Sequence, residues 1–402
     1  MDLHRAKQQY AQVMLQIGVA LKAGQPVFID APVEAADFVG VLVEEAYAAG
    51  APDVHVFWSC EAVEAIGACH RVPAPVEEET ALARRYADAG AGYIRLMCPR
   101  FDTPAPVPPE RINQMMMIST ERRKLFRISP RHGGFTLCCV PCKEWADRVY
   151  PDLPAEQRLE TLWETVLTSA RCTGGTEDPV AAWKDYITMT RARKDRLDRN
   201  RYQAYRFRCT GTDLTIRPAQ GAKWAGGCNE YPGERVFIPN LPTEEVFCVP
   251  NRYQVEGQVR STKPLNYNGS LIENFTIRFS QGRVVDYQAE KGQELLRSII
   301  ETDEGSHYLG EFALVDQKSP IARIDRVFYT TLFDENAACH LALGMMAGQL
   351  PLDKAEEWGL NQSRIHVDFM FGADDLLVEG QRPDGSWDII MENGRWAGAF
   401  CV

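Results

Sequence analysis

Apolar and polar positions in the first half of the chain alternate between two periods, one typical of strands and one typical of helices. Four apolar runs have the length and composition of strands, at 26–29, 54–58, 93–97 and 134–138. Between and after them, apolar residues recur at helical spacing over 33–49, 112–125 and 159–170. Strands that alternate with helices indicate an α/β fold with a mostly parallel sheet covered on both faces.

Beyond residue 200 the pattern changes to strict alternation. Residues 212–216 and 275–279 alternate apolar and polar side chains, and the second run leads through a turn at 280–283 into a returning strand at 284–287. Such hairpins are typical of antiparallel sheets. We therefore expect an α/β domain over 1–200 and a β-rich domain of α+β type over 201–402.

One strand of this second domain carries candidate metal ligands. The run 365–371 places His366 and Asp368 on one face, with their Cα atoms about 6.6 Å apart, because side chains repeat every two residues in a strand. Two such groups can share a metal ion or flank a pair of ions. Taken alone, the run also fits a strand with one solvated face.

A second candidate segment, 333–344, is interpreted as a loop that runs into a helix. Asp334 or Asn336 is a suitable helix cap, His340 would lie in the first helical turn, and Glu335 in the entering loop could fold back towards it. A histidine in a helix is also commonly a hydrogen-bonded core residue, so this segment alone does not establish a site.

Two further carboxylates, Glu245 and Glu311, stand among strongly apolar neighbours. A carboxylate in such surroundings must be hydrogen-bonded, paired or metal-bound, because an unpaired buried charge costs several kcal/mol. An ordinary salt bridge would satisfy either one. Together with the imidazoles, however, these acids suit zinc, cobalt or manganese, and several carboxylates are what a pair of ions requires.

Composition narrows the classes of function. The chain has 402 residues, 45% hydrophobic and 25% charged, which favours two globular domains. Its net charge of −11 makes nucleic acid an unsuitable partner. The twelve cysteines indicate free thiols in an intracellular chain, and the CxxC at 139–142 lacks the second pair that a zinc ribbon needs. Without a signal peptide or a membrane span, we expect a cytoplasmic protein with no membrane partner.

Several longer segments carry a resemblance to a known family. The chain resembles the M29 family of metallo-aminopeptidases over nearly its whole length, most specifically at NLPTEEVF (240–247), STKPL (261–265), LFDEN (332–336) and IHVD (365–368). This resemblance implies an α/β domain followed by a β-rich catalytic domain, and a homodimer that encloses a cavity. The implied activity is the release of amino-terminal residues from short peptides.

The resemblance also implies a ligand set for two divalent metal ions, zinc, cobalt or manganese. Carried over by motif, the ligands are Glu245, Glu311, His340, His366 and Asp368, and Glu335 is a further candidate. The ions would lower the pKa of a water molecule and polarise the scissile carbonyl. A carboxylate would carry the proton to the leaving amine, and Glu311 or Glu335 is the expected catalytic residue for this step.

One position departs from the family pattern. Family members have a tyrosine seven residues after the histidine that corresponds to His340, and here that position is Ala347. Tyr308, Tyr329 or another residue would have to replace the phenol. This departure leaves other functions open: an amidase for a small specialised substrate, a metal-binding protein without turnover, or a ring-cleaving dioxygenase. The last would hold one Fe(II) ion with His340, His366 and Asp368.

Overall fold

The computed structural model describes residues 1–70, 74–99, 101, 109–131, 133–231, 235–267, 269–324, 326–348 and 350–402. The chain forms two compact units. The first contains Met1–Asp185 and Cys228–Pro242, and the second contains Tyr186–Gly227 and Thr243–Val402. The boundary expected at residue 200 stays a prediction, since compactness alone does not show which segments fold independently.

The first unit is built on a parallel sheet of five strands in the order β2-β1-β3-β4-β9. The strands of this unit are β1 (Val27–Pro32), β2 (Val54–Ser59), β3 (Gly92–Met97), β4 (Phe135–Cys139), β7 (Asn229–Tyr231), β8 (Arg235–Phe237) and β9 (Asn240–Leu241). All of β1 except Pro32 is buried. A strand buried on both faces is expected in a parallel sheet covered by helices, so the predicted α/β character is confirmed.

Helices alternate with these strands along the chain. Several of them fall in the segments where apolar residues recur at helical spacing. The helices are α1 (Leu3–Val13), α2 (Ala36–Ala48), α3 (Glu61–His70), α4 (Val76–Asp88), α5 (Pro109–Arg127), α6 (Lys143–Val149) and α7 (Ala155–Ser169), and α8 (Pro179–Asn200) continues into the second unit. A π-helical turn, Met14–Gly18, follows α1. In the part of the chain that the structure describes, each helix is too short or too polar to span a membrane.

The second unit contains two antiparallel sheets. The larger has nine strands: β5 (Ala204–Cys209), β6 (Thr212–Pro218), β11 (Pro250–Arg260), β12 (Leu265–Tyr267), β13 (Ser270–Ser280), β14 (Arg283–Lys291), β18 (Leu377–Gln381), β19 (Trp387–Glu392) and β20 (Arg395–Trp396). In β13, burial alternates along much of the strand, as in a sheet with one covered face. The predicted β-rich character of the carboxy-terminal half is therefore confirmed.

The smaller sheet, in the order β10-β15-β16-β17, carries the chemistry. Its strands are β10 (Glu245–Cys248), β15 (Leu309–Val315), β16 (His340–Gly344) and β17 (His366–Met370). All residues of β15 and β16 are buried. The helices of this unit are α9 (Gln293–Ile300), α10 (Thr331–Asp334) and α11 (Ala355–Trp358).

One sequence expectation about this sheet is wrong. His340 does not lie in the first turn of a helix. The helix α10 ends before it, a single 3-10 turn spans Glu335–Ala337, and His340 begins the central strand β16. The run of Leu and Ala after His340 favours a helix by intrinsic propensity, but in a fully buried strand the pairing on both sides overrides that preference.

Candidate metal centre

The strand register places the candidate ligands on one face of the four-stranded sheet. Ala342 at the centre of β16 pairs with Glu311 on one side and with Asp368 on the other. His340 lies two residues before Ala342 on the same strand. Because side chains alternate along a strand, His340 lies on the same face as Ala342 and its partner Asp368. Glu245 pairs with Val315, four residues beyond Glu311, and so faces the same way.

Small residues separate the ligands on this face. Ala313 lies opposite His340, Ala342 lies between Glu311 and Asp368, and Gly344 lies opposite His366. Residues that pair directly across strands project side by side, so a large residue at any of these positions would compete for the same space. The small side chains leave room above the sheet for long polar side chains and for ions.

At the buried end of the face, two acids meet one imidazole. Nε2 of His340 lies 3.0 Å from Oε2 of Glu245 and 3.7 Å from Oε1 of Glu311. The His340 side chain is 1% exposed. Ligand atoms of these three residues all lie within 4.8 Å of one another, which is the arrangement of a metal site.

At the more open end, Glu311 belongs to a second group. Nε2 of His366 lies 3.5 Å from Oε2 of Glu311 and 3.2 Å from Oδ1 of Asp368. The side chain of His366 is 33% exposed, so solvent reaches this end. Each oxygen of Glu311 therefore faces a different imidazole, and one carboxylate joins the two groups.

Both imidazoles are oriented from behind by backbone carbonyl groups. Nδ1 of His340 lies 3.1 Å from the carbonyl oxygen of Ala338, and Nδ1 of His366 lies 2.7 Å from that of Met345. A carbonyl oxygen accepts a hydrogen bond from the Nδ1–H group, so Nε2 is the nitrogen left for a metal ion. These two carbonyls are part of the site, and no sequence pattern identifies them.

The backbone near the second imidazole is fixed by a buried amide. Asn361 is 0% exposed, and its Nδ2 donates to the carbonyl oxygens of Gly305, Tyr308 and Gly344 at 2.8, 3.1 and 2.6 Å. These bonds hold the end of β16 beside the start of β15. No local sequence pattern identifies Asn361 as a site residue, because its partners are distant in sequence.

Glu335 belongs to neither group among the described residues, but it interacts electrostatically with members of both. Burial raises the pKa of its carboxyl group well above the usual value, and the charges of Glu245 and Asp368 raise it further. The preceding residue, Asp334, has a structural role, since its carboxylate accepts hydrogen bonds from the backbone N–H groups of Phe328 and Thr330. Glu335 is thus a carboxylate within electrostatic reach of the ligands.

Crowding of acids also shifts the pKa values of the candidate ligands. Burial raises the pKa of Glu311 to about 7, and the neighbouring charges of Glu245 and Asp368 act in the same direction, whereas His340 opposes them. Burial lowers the pKa of His366, but its hydrogen bond with Asp368 and the nearby carboxylates outweigh burial and raise it to about 9. The carboxylates of the cluster carry more negative charge than its two imidazoles can balance. Such a set of oxygen and nitrogen donors fits divalent cations.

Ala347, where we expect a departure from the family pattern, lies next to this cluster. The backbone N–H of Ala347 donates to the carbonyl oxygen of Gly310 at 3.1 Å, so Ala347 lies beside the strand residue that precedes Glu311. Of the suggested replacements, Tyr308 has its hydroxyl engaged by Arg283 at 3.4 Å. The hydroxyl of Tyr308 therefore lies at Arg283, a residue outside both candidate groups.

Metal binding to this cluster should release protons near neutral pH. A metal ligand must be an ionised carboxylate or a neutral imidazole, whereas Glu311 is largely protonated below about 7 and His366 below about 9. We expect zinc affinity to fall as the pH decreases from 9 to 6, by up to tenfold per pH unit for each displaced proton. Calorimetry in buffers of different ionisation enthalpy measures the release.

A matched control for this titration is His55→Ala, which removes an imidazole from β2, outside the cluster. That variant should release the same number of protons as the unchanged protein. Zinc affinity that stays constant from pH 6 to 9, with no proton release, would contradict the assignment of Glu311 and His366 as ligands.

Comparison with known proteins identifies the family. The family model described as thermophilic metalloprotease (M29) matches residues 4–396. Aminopeptidase 2 of Geobacillus stearothermophilus is 36% identical, covering 97% of each chain, and aminopeptidase T of Thermus thermophilus is 36% identical, covering 98% of each. Aminopeptidase PepS of Streptococcus thermophilus is 33% identical, covering 97% of each.

A solved structure of a relative is also similar. The structure titled wild-type AmpT from Thermus thermophilus superposes with a TM-score of 0.86 at 33% sequence identity, and the match covers 98% of this chain and 100% of that one. Because the family model matches residues 4–396 and the relatives are matched along nearly their whole length, the chain belongs to the M29 family of metalloproteases.

Proposed function

We propose that this metal-dependent aminopeptidase holds two divalent metal ions, one on each side of Glu311, and removes amino-terminal residues from short peptides. The observation that carries the proposal is the position of Glu311, whose two oxygens face two different imidazoles. A carboxylate shared by two ligand groups is what a dinuclear site requires.

The ligands divide into two sets around this shared carboxylate. Glu245 and His340 would hold one ion and His366 and Asp368 the other, while Glu335, which the sequence offers as a further ligand, lies outside both groups. Zinc, cobalt and manganese all suit imidazole with carboxylate. When bound, such ions lower the pKa of a coordinated water molecule and polarise the scissile carbonyl group.

Proton transfer is assigned to a carboxylate of the chain. Glu311 is enclosed between the two imidazoles, so its oxygens are engaged as ligands. Glu335 lies outside both groups, and its raised pKa suits a group that takes a proton from the attacking water and gives it to the leaving amine. We therefore favour Glu335 over Glu311 as the proton carrier.

The alternatives receive no comparable support. A dioxygenase would need His340, His366 and Asp368 around one Fe(II) ion. Among the described residues the two imidazoles fall into separate groups, each completed by Glu311. The relatives are named as aminopeptidases, and none of these names favours an amidase.

The homodimer and the cytoplasmic location stay predictions. The homodimer rests on family likeness, and the location rests on the sequence pattern. Light scattering on the purified chain would give a mass of twice 45.2 kDa if the dimer forms.

The proposed activity is tested by removing and restoring metal. We expect a chelator to abolish the release of free amino acids from short peptides, and we expect zinc, cobalt or manganese to restore it at about two ions per chain. The measurement pairs elemental analysis with an amino acid release assay. One iron ion per chain, with oxygen uptake on an aromatic diol and no peptide hydrolysis, would overturn the proposal.

The role of Glu335 is tested by Glu335→Gln, which keeps the shape of the side chain. We expect kcat to fall by about 10²-fold or more while most of the bound metal is retained, because the variant loses the proton carrier. Glu290→Gln, at an exposed carboxylate on β14, is the control. Unchanged kcat in the Glu335 variant would show that another group carries the proton.

Because position 347 lacks a phenol, we expect that introducing one there increases activity. A tyrosine there would stand beside the residue that precedes Glu311 and add a hydrogen-bond donor at the site. We expect Ala347→Tyr to raise kcat by about tenfold or more, within the range that one donor contributes to transition-state stabilisation. Ala347→Phe, which lacks the hydroxyl, should give no such gain. Equal kcat values for the two variants would contradict this role.

A further inference from the structure

The segment 261–265, which includes Lys263, is held beside the candidate metal centre by hydrogen bonds to the last residue of strand β17 and to Gly372 just after it. The backbone N–H of Thr262 donates to the carbonyl oxygen of Met370 at 3.0 Å, and its hydroxyl donates to that of Gly372 at 2.7 Å. On the other side, the backbone N–H of Ser261 donates to the carbonyl oxygen of Phe275 at 2.8 Å. The backbone that carries Lys263 is thus fixed on both sides.

This anchoring puts Lys263 next to the ligand-bearing strands. Met370 ends β17 two residues after Asp368, and it pairs directly with His340 on β16. The charge of Lys263 also acts on the carboxyl group of Asp334, the residue before Glu335. The backbone at Lys263 therefore adjoins the end of β17, and its charge acts on the last residue of helix α10, next to the acidic cluster.

The ammonium group of Lys263 has no bonded partner among the described residues, although the side chain is half-buried. Among the described residues Asp334 forms no salt bridge with it, and the carboxylate of Asp334 accepts hydrogen bonds from the backbone N–H groups of Phe328 and Thr330. An ammonium group has three donors and no lone pair, so it cannot ligate a metal ion. What it can bind is an anionic oxygen.

A short peptide supplies one such anion in every case. Whatever its side chains, a peptide with a free carboxyl end carries a carboxylate, and in a dipeptide that carboxylate lies only two bonds beyond the scissile nitrogen. A charge-assisted hydrogen bond to it would favour short free peptides over longer ones or over amides. The fixed backbone and the unpaired charge of Lys263 suit this role.

We propose that Lys263 determines substrate length by binding the terminal carboxylate of di- and tripeptides. This inference rests on the proposed aminopeptidase activity at the same centre. Lys263 is a specificity residue here, since it acts on a part of the substrate that does not react.

The test compares each dipeptide with its own carboxyl-terminal amide. We expect Lys263→Met, which keeps the apolar stem, to lower kcat/KM for the free dipeptide by about tenfold or more, mainly through KM. The amide should change by less than about twofold, because it offers no anion. Lys263→Arg should retain part of the preference, and Lys318→Met, at an exposed lysine, is the control.

A binding measurement keeps the proposal testable without turnover. A dipeptide with a reduced peptide bond, offered as free acid and as amide, is titrated into the metal-loaded protein by calorimetry. Loss of the preference for the free acid in Lys263→Met supports the proposal. Equal losses for acid and amide, or a preference that survives the substitution, would overturn it. Absence of peptide hydrolysis in the unchanged protein, with this binding preference intact, would refute the proposed activity alone.

Discussion

Repulsion among buried carboxylates is the constraint on which the centre depends. Glu245, Glu311 and Asp368 lie on one sheet face, with Glu335 nearby, and burying each charge without compensation costs several kcal/mol. The imidazoles of His340 and His366 offset part of this charge, which is why the pKa values of both are raised despite burial. Divalent ions would compensate the acids more fully, so metal binding should also stabilise the fold.

The register of the strands in the four-stranded sheet places these groups side by side on one face. The strands that carry the candidate ligands are antiparallel to their neighbours. Their register places Glu311, Ala342 and Asp368 in one row across β15, β16 and β17. A slip of one residue would turn a ligand to the opposite face. The complete burial of β15 and β16 opposes such a slip, because apolar residues would have to exchange places with charged ones. The core of the second unit thus fixes the geometry of its chemistry.

Local patterns in the sequence predicted much of this arrangement, and their limits have physical causes. Alternation around His366 and Asp368 placed both on one face of a strand, as the structure has them, because that inference needs only the two-residue period. The pattern around His340 predicts a helix where the structure has a strand, since a short run of Leu and Ala fits a buried strand and a helix equally well. The pairing of Glu311 with Ala342, and the carbonyl groups behind the imidazoles, depend on contacts between distant segments that no local pattern contains.

Anomalous X-ray scattering from crystals of the metal-loaded protein tests the central claim most directly. The account predicts two peaks about 3.5–4 Å apart, one near His340 and one near His366, with an oxygen of Glu311 bound to each. A single peak, or two peaks with Glu311 turned away from both, would contradict it.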